Sequence, residues 1–175
     1  MLIVFTGNGK GKTTAAIGQA IRALGAGKRI FMIQFIKSHK FPSGEDDILT
    51  TFGPRFHFEK GGLGFVGIMG DTLPFADHKE AAAKALAKAT EAARSGAYDL
   101  FVLDEINVAL DLKLLDLADA LAFLDAAPAG SDVFFTGRHA HSEIMARADL
   151  ITNCEDVWHP FRTRANVQAR RGIEY

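Results

Sequence analysis

Three kinds of segment follow one another at the start of the chain: the apolar run LIVFT (2–6), the glycine-rich GNGKGK (7–12), and the helical pattern opening on TTAAIGQAIRALG (13–25). Few folds accept that order. A run of this kind reads as a buried strand, and glycines after it let the backbone aim its N–H groups inward. The following helix adds its positive end, so the junction is built for an anion such as a phosphate. In the usual phosphate-loop pattern four residues separate the first glycine from Gly-Lys-[Ser/Thr]. Here Gly11, Lys12 and Thr13 form the second half, but position 6 is Thr6. Gly7 comes one place late and leaves three residues, Asn8, Gly9 and Lys10, before Gly11. Lys12 is expected to bridge phosphate oxygens, and the Thr13 hydroxyl suits a magnesium ion that neutralises a triphosphate. Lys10 is expected either on phosphate or in solvent.

The remaining chain repeats the alternation of short apolar runs and helical stretches. Strands are expected at 29–36, 55–60, 98–105, 132–138 and 149–153, and helices at 13–27, 76–94, 117–126 and 142–148. Residues 37–47, with Pro42 and Gly44, and 61–75, with five glycines and one proline, read as loops. Strands apolar on both faces and separated by helices predict a parallel sheet covered on both sides, in one domain spanning 1–175. Right-handed crossovers then gather the strand C-termini on one edge, where ligands bind. The unusual polar residues fall at such ends: the glycine loop, then Gln34 and Lys37, then Asp104 and Glu105 after LFVL, then Thr136, Gly137 and Arg138 after VFF.

Each of these ends admits a chemical reading and a plainer one. Asp104 and Glu105 can hold magnesium directly or through water, or can merely cap a helix; in a hydrolase the second acid activates water. The planar guanidinium of Arg138 suits phosphate, or pairs with a surface acid. His139 and His141, two apart and without a matching Cys or acidic cluster, read as solvated loop residues. Phe65, Trp158 and Phe161 on irregular segments either line an apolar ligand site or pack on the domain body.

Composition narrows the class. Twenty basic and 21 acidic residues leave a formal net charge of -1, which argues against a broad nucleic-acid or anionic-membrane footprint. A single cysteine, Cys154, allows no internal disulfide and predicts a cytoplasmic setting. No signal peptide and no membrane span are expected.

The segments TGNGKGKTTAAIGQAIRALGAGKRIFMIQFIK, SGE, YDLFVLDEINVAL, TGR, ADLIT, HPF and RRGIEY together resemble the P-loop type of ATP:corrinoid adenosyltransferase, collinearly over nearly the whole chain. The resemblance implies a three-layer α/β P-loop (RecA-like) fold with a mostly parallel sheet. It implies transfer of the 5′-deoxyadenosyl group of ATP to the Co(I) of a reduced corrinoid, with release of triphosphate. It places Gly7 through Thr14 (Gly7, Asn8, Gly9, Lys10, Gly11, Lys12, Thr13 and Thr14) around a triphosphate reversed along the loop, with Arg138 beside it. Lys12, Thr13 and Glu105 would be catalytic, and Thr13, Glu105 and Asp104 would hold Mg2+. Phe65, Trp158, His159 and Phe161 would meet the corrinoid. A homodimer and a reductant such as a flavoprotein are further implications. Two departures bear on the corrinoid side: Gly67 stands where some members carry tryptophan, and Trp158 where many carry lysine. An ordinary P-loop ATPase or nucleotide kinase, and a non-catalytic corrinoid-binding module, are the competing readings.

Overall fold

The computed structural model describes residues 1–40, 42–158 and 167–173. Six strands form one parallel sheet: β1 (Leu2–Thr6), β2 (Ile30–Gln34), β3 (Phe56–Lys60), β4 (Leu100–Asp104), β5 (Asp132–Thr136) and β6 (Leu150–Asn153), in the order β3-β2-β4-β5-β1-β6. The helices are α1 (Lys12–Gly25), α2 (Glu45–Thr50), α3 (Phe75–Arg94), α4 (Ile106–Asp111), α5 (Leu117–Ala126) and α6 (Ser142–Arg147), with one 3-10 turn at Gly53–Arg55.

Alternation along the strands sorts the core into two layers, because successive side chains point to opposite faces. Phe31 and Ile33, Phe101 and Leu103, and Val133 and Phe135 face α3, α4, α5 and α6, where Ala85, Ala89, Ile106 and Phe123 close the packing. Ile30 and Met32, Leu100 and Val102, and Phe134 face α1 and α2, where Ala16, Ala20 and Leu49 meet them. Helices therefore cover both faces, and the fold is the expected three-layer α/β arrangement. The small buried face of α3 (Ala82, Ala85, Ala89, Ala93) lets a 20-residue helix lie close to the sheet.

The observed strands are shorter than expected at 29–36, 98–105 and 132–138, because pairing stops where the chain turns into the ligand edge. Two helices were not expected. Residues 45–47 lay within an expected loop, yet Glu45, Asp46 and Asp47 form the acidic first turn of α2, which favours a helix N-terminus. Helix α4 follows directly after Glu105, whose φ of 63° breaks strand β4 and starts the helix without a linker.

Candidate active site

The parallel register brings the C-terminal ends of β1, β4 and β5 side by side, and the polar residues of the sequence meet there. At the start of α1, the Thr13 hydroxyl donates to Asp104 Oδ1 at 2.8 Å. The Thr136 hydroxyl donates to the same oxygen at 2.6 Å, and Gln34 Nε2 donates to Oδ2 at 2.9 Å. The Glu105 N–H in turn donates to Thr136 Oγ1 at 2.9 Å. Asp104 is fully buried and held at once by α1, β5 and β2. Lys37 adds its ammonium 3.6 Å from Asp104 Oδ2 and 3.1 Å from Glu45 Oε1. Burial alone would lower the Lys37 amine, but Asp104 and Glu45 outweigh it and hold it above the ordinary lysine value.

The chain leaving β6 accounts for two of the loop's glycines. The Gly9 N–H donates to the Cys154 carbonyl at 2.7 Å. A Cβ on Gly9 would lie 2.4 Å from the Glu155 carbonyl oxygen, and one on Gly7 would lie 2.5 Å from that of Cys154. These two glycines are thus needed because the chain leaving β6 is pressed against the loop. Lys12 is buried, and its ammonium donates to the carbonyls of Gly7 and Gly9 at 2.7 and 2.6 Å. Burial keeps its amine below the usual lysine value, against the opposing pull of Glu105.

Glu105 stands at the mouth of this cluster. Burial, and then the neighbouring Asp104 charge, push its carboxyl up to about 7, while Lys37, Lys12 and Arg138 act in the opposite sense. Arg138 is exposed, reaches Lys12 and Glu105 electrostatically, and forms no ion pair among the described residues. The surface-acid alternative for it is therefore not realised there. Lys10 is exposed and donates to the carbonyl of Ile173, so the backbone at Ile173 meets this loop. Asn8 and Thr14 are exposed at the loop's rim. His141 is explained locally: its Nδ1 accepts the Glu143 N–H and caps α6.

The apolar residues are placed less uniformly. Phe65 is 38% exposed and borders a cavity of about 80 Å³ shared with Ile36, Lys37, Ser38 and Gly64. Lys37 thus connects this cavity to Asp104. Trp158 is 77% exposed, so it does not pack on the body of the protein. His159 and Phe161 lie outside the described residues. Thr136 and Gln34 were legible only as polar strand ends; their hydrogen bonds to Asp104 depend on strand order, which a linear pattern does not give.

Among the described residues no three His, Cys, Asp or Glu side chains cluster as a metal cage. The oxygen donors present still suit a hard cation carried on phosphate: the Thr13 hydroxyl, the Asp104 carboxylate, and Gln34 Oε1, which is buried without a hydrogen-bond partner.

A strand, a glycine loop, a helix opening on Lys-Thr and a facing buried aspartate define a P-loop nucleotide-binding protein. The chain belongs to one family of that class: the family model described as ATP:corrinoid adenosyltransferase BtuR/CobO/CobP matches residues 1–175. It is 36% identical to the corrinoid adenosyltransferase CobA of Salmonella typhimurium, over all of this chain and 85% of that one. It is 35% identical to the corrinoid adenosyltransferases of Escherichia coli and Pseudomonas aeruginosa, over all of this chain and 85% and 83% of theirs.

Proposed function

We propose that the chain, acting as one domain over residues 1–175, transfers the 5′-deoxyadenosyl group of ATP to the Co(I) of a reduced corrinoid. The observation that carries this reading is the Thr13–Asp104 hydrogen bond beneath a loop whose lysine is buried. Lys37, 3.6 Å from Asp104 Oδ2, also lines the cavity bordered by Phe65, which supports a corrinoid site next to the phosphate loop. The corrinoid cobalt supplies the electron pair and attacks C5′ of the ribose. The cobalt–carbon bond forms as the C5′–O bond breaks, and triphosphate leaves with the bonding electrons. No side chain has to act as a nucleophile.

The protein's part is therefore to position and to stabilise charge. Gly7 through Thr14 cradle the triphosphate, Lys12 exchanges its two loop carbonyls for phosphate oxygens, and Arg138 reaches in from the rim. Thr13, Asp104 and Glu105 would hold Mg2+, which when bound would neutralise charge on the triphosphate. Phe65 presents an aromatic face to the corrinoid, assisted by Trp158, His159 and Phe161. A cytoplasmic homodimer served by a reductant such as a flavoprotein belongs to the same reading. No described helix is long and apolar enough to cross a membrane.

Product analysis tests the proposal. With ATP, magnesium and a corrinoid kept as Co(I), the expected products are an adenosylated corrinoid and intact triphosphate. ADP and orthophosphate, formed at the same rate without corrinoid, would instead identify a hydrolase.

A further inference from the structure

The loop that carries Phe65 runs from the end of β3 to the start of α3, and it is fixed in two separate places. Its first part is laid on the chain after β2: the N–H groups of Gly61, Gly62 and Gly64 donate to the carbonyls of Gln34, Lys37 and Ile36 at 2.8, 3.1 and 3.0 Å. Its second part closes on one side chain. Asp71 Oδ2 accepts the Gly67 N–H at 2.9 Å and lies 3.0 Å from His78 Nε2, while Oδ1 accepts the Leu73 N–H at 3.1 Å. His78 belongs to α3 and is 3% exposed, so the anchor is buried against a helix. Val66 packs on the core, but Ile68 and Met69 are 62% and 76% exposed. Apolar packing therefore does not hold this turn. Its backbone also has positive φ at Gly67, Met69 and Gly70 (67°, 55° and 79°), a shape that Met69 adopts only under constraint. The Gly67 N–H, and then that of Leu73, hold the Asp71 carboxyl below the usual range, as expected for a carboxylate that carries the turn.

We propose that Asp71 and His78 are positioning residues for the corrinoid: their clasp closes the turn behind Phe65 and fixes the height at which that ring borders the cavity beside Ile36 and Ser38. The inference rests on the reading that Phe65 meets the corrinoid. It also gives Gly67 a role, since its N–H ties the turn to Asp71.

The test measures adenosylation by the full chain with Mg-ATP and cob(I)alamin, for wild type, Asp71→Asn, His78→Gln, Phe65→Ala and the double variant Phe65→Ala/Asp71→Asn. Asp71→Asn and His78→Gln are each expected to raise the KM for corrinoid about tenfold, the factor lost with one charge-assisted hydrogen bond. The KM for ATP should stay within about twofold, and ATP binding measured by calorimetry should be equally unmoved. Phe65→Ala should raise the corrinoid KM, and adding Asp71→Asn to it should change nothing further, because the clasp acts through the ring. An unchanged corrinoid KM in both clasp variants, with Phe65→Ala impaired, overturns the inference and leaves the adenosyltransferase reading standing. An unaffected Phe65→Ala overturns both the inference and the placement of the corrinoid. A parallel rise in the KM for ATP and for corrinoid, with a lowered Tm, reduces the clasp to general stability and also overturns it.

Discussion

Thr13 and Asp104 are 91 positions apart in the chain and 2.8 Å apart in space, joined by the hydroxyl of one and the carboxylate of the other. The contact exists because β1 and β4 end on the same edge of the sheet, with β5 between them supplying Thr136 to the same carboxylate.

Removing the Thr13 hydroxyl should leave the fold intact and remove much of the catalysis. Thr13→Val is expected to lower kcat by about 10²–10³, the range for loss of one group that stabilises transition-state charge. Thr13→Ser keeps the hydroxyl and should remain within about tenfold of wild type. Steady-state kinetics at saturating ATP and corrinoid decide this; equal kcat for Val and Ser would show that the hydroxyl has no part in the step.

Gly9→Ala is expected to weaken ATP binding at least about tenfold, since the added carbon meets backbone rather than a movable side chain. The segment Cys154–Glu155 must then leave the loop, or the loop must leave its place. Gly18→Ala is the contrasting change, because that position lies in the exposed interior of α1 with open space around it. It should stabilise the protein by roughly 0.5–1 kcal/mol and leave ATP affinity unaltered. Calorimetric titration with ATP, together with thermal melting, separates the two.

Asp99 links acid stability to the far end of the sheet. The Arg29 side chain, and then its backbone N–H, hold the Asp99 carboxyl down to about 2. A depressed carboxyl contributes stability fully above its ordinary value, about 3.8, and loses it as pH falls toward 2. Asp99→Asn should therefore melt at a lower temperature than wild type at pH 7, and the gap should close between pH 4 and pH 2. A gap that stays constant across the acid range would assign the effect to something other than this ion pair.

Lys60 ends β3 with its side chain fully buried, 2.5 Å from Asp46 Oδ2 in the first turn of α2. Lys60→Ala leaves a partly buried carboxylate without that charge and should cost about 3 kcal/mol in chemical denaturation. Adding Asp46→Asn should recover part of the loss. If the double variant is as unstable as the sum of the two single changes, the pair does not interact energetically.

Much of this architecture is written in residue patterns. LIVFT, IFMIQ, LFVLD and DVFFT are apolar on both faces and bounded by turn residues, which is why all four read as buried parallel strands. Asp104, Glu105 and Arg138 were legible because each lies at or just past the end of an apolar strand, and Lys12 and Thr13 because they close the glycine loop that follows one. The short helices α2 and α4 were not, since six residues give too little periodicity to stand out from loop. Sequence order likewise could not pair Gln34 or Thr136 with Asp104, because that contact is set by the crossover order of the sheet. The Asp71–His78 clasp carried no signal at all: one acid in a glycine-rich stretch and one histidine on an alanine-rich helix are each unremarkable until the backbone turns them together.

The two carbonyls that grip Lys12 bear on selectivity for long polyanions. A lone phosphate must give back those two bonds for whatever one anion returns, so its net gain is small. A chain of three phosphates would offer several oxygens at once along the same stretch of backbone. The loop's self-contained bonding thereby sets a bar for any anion that would take Lys12 from those carbonyls, and it favours one that offers several oxygens over one that offers few.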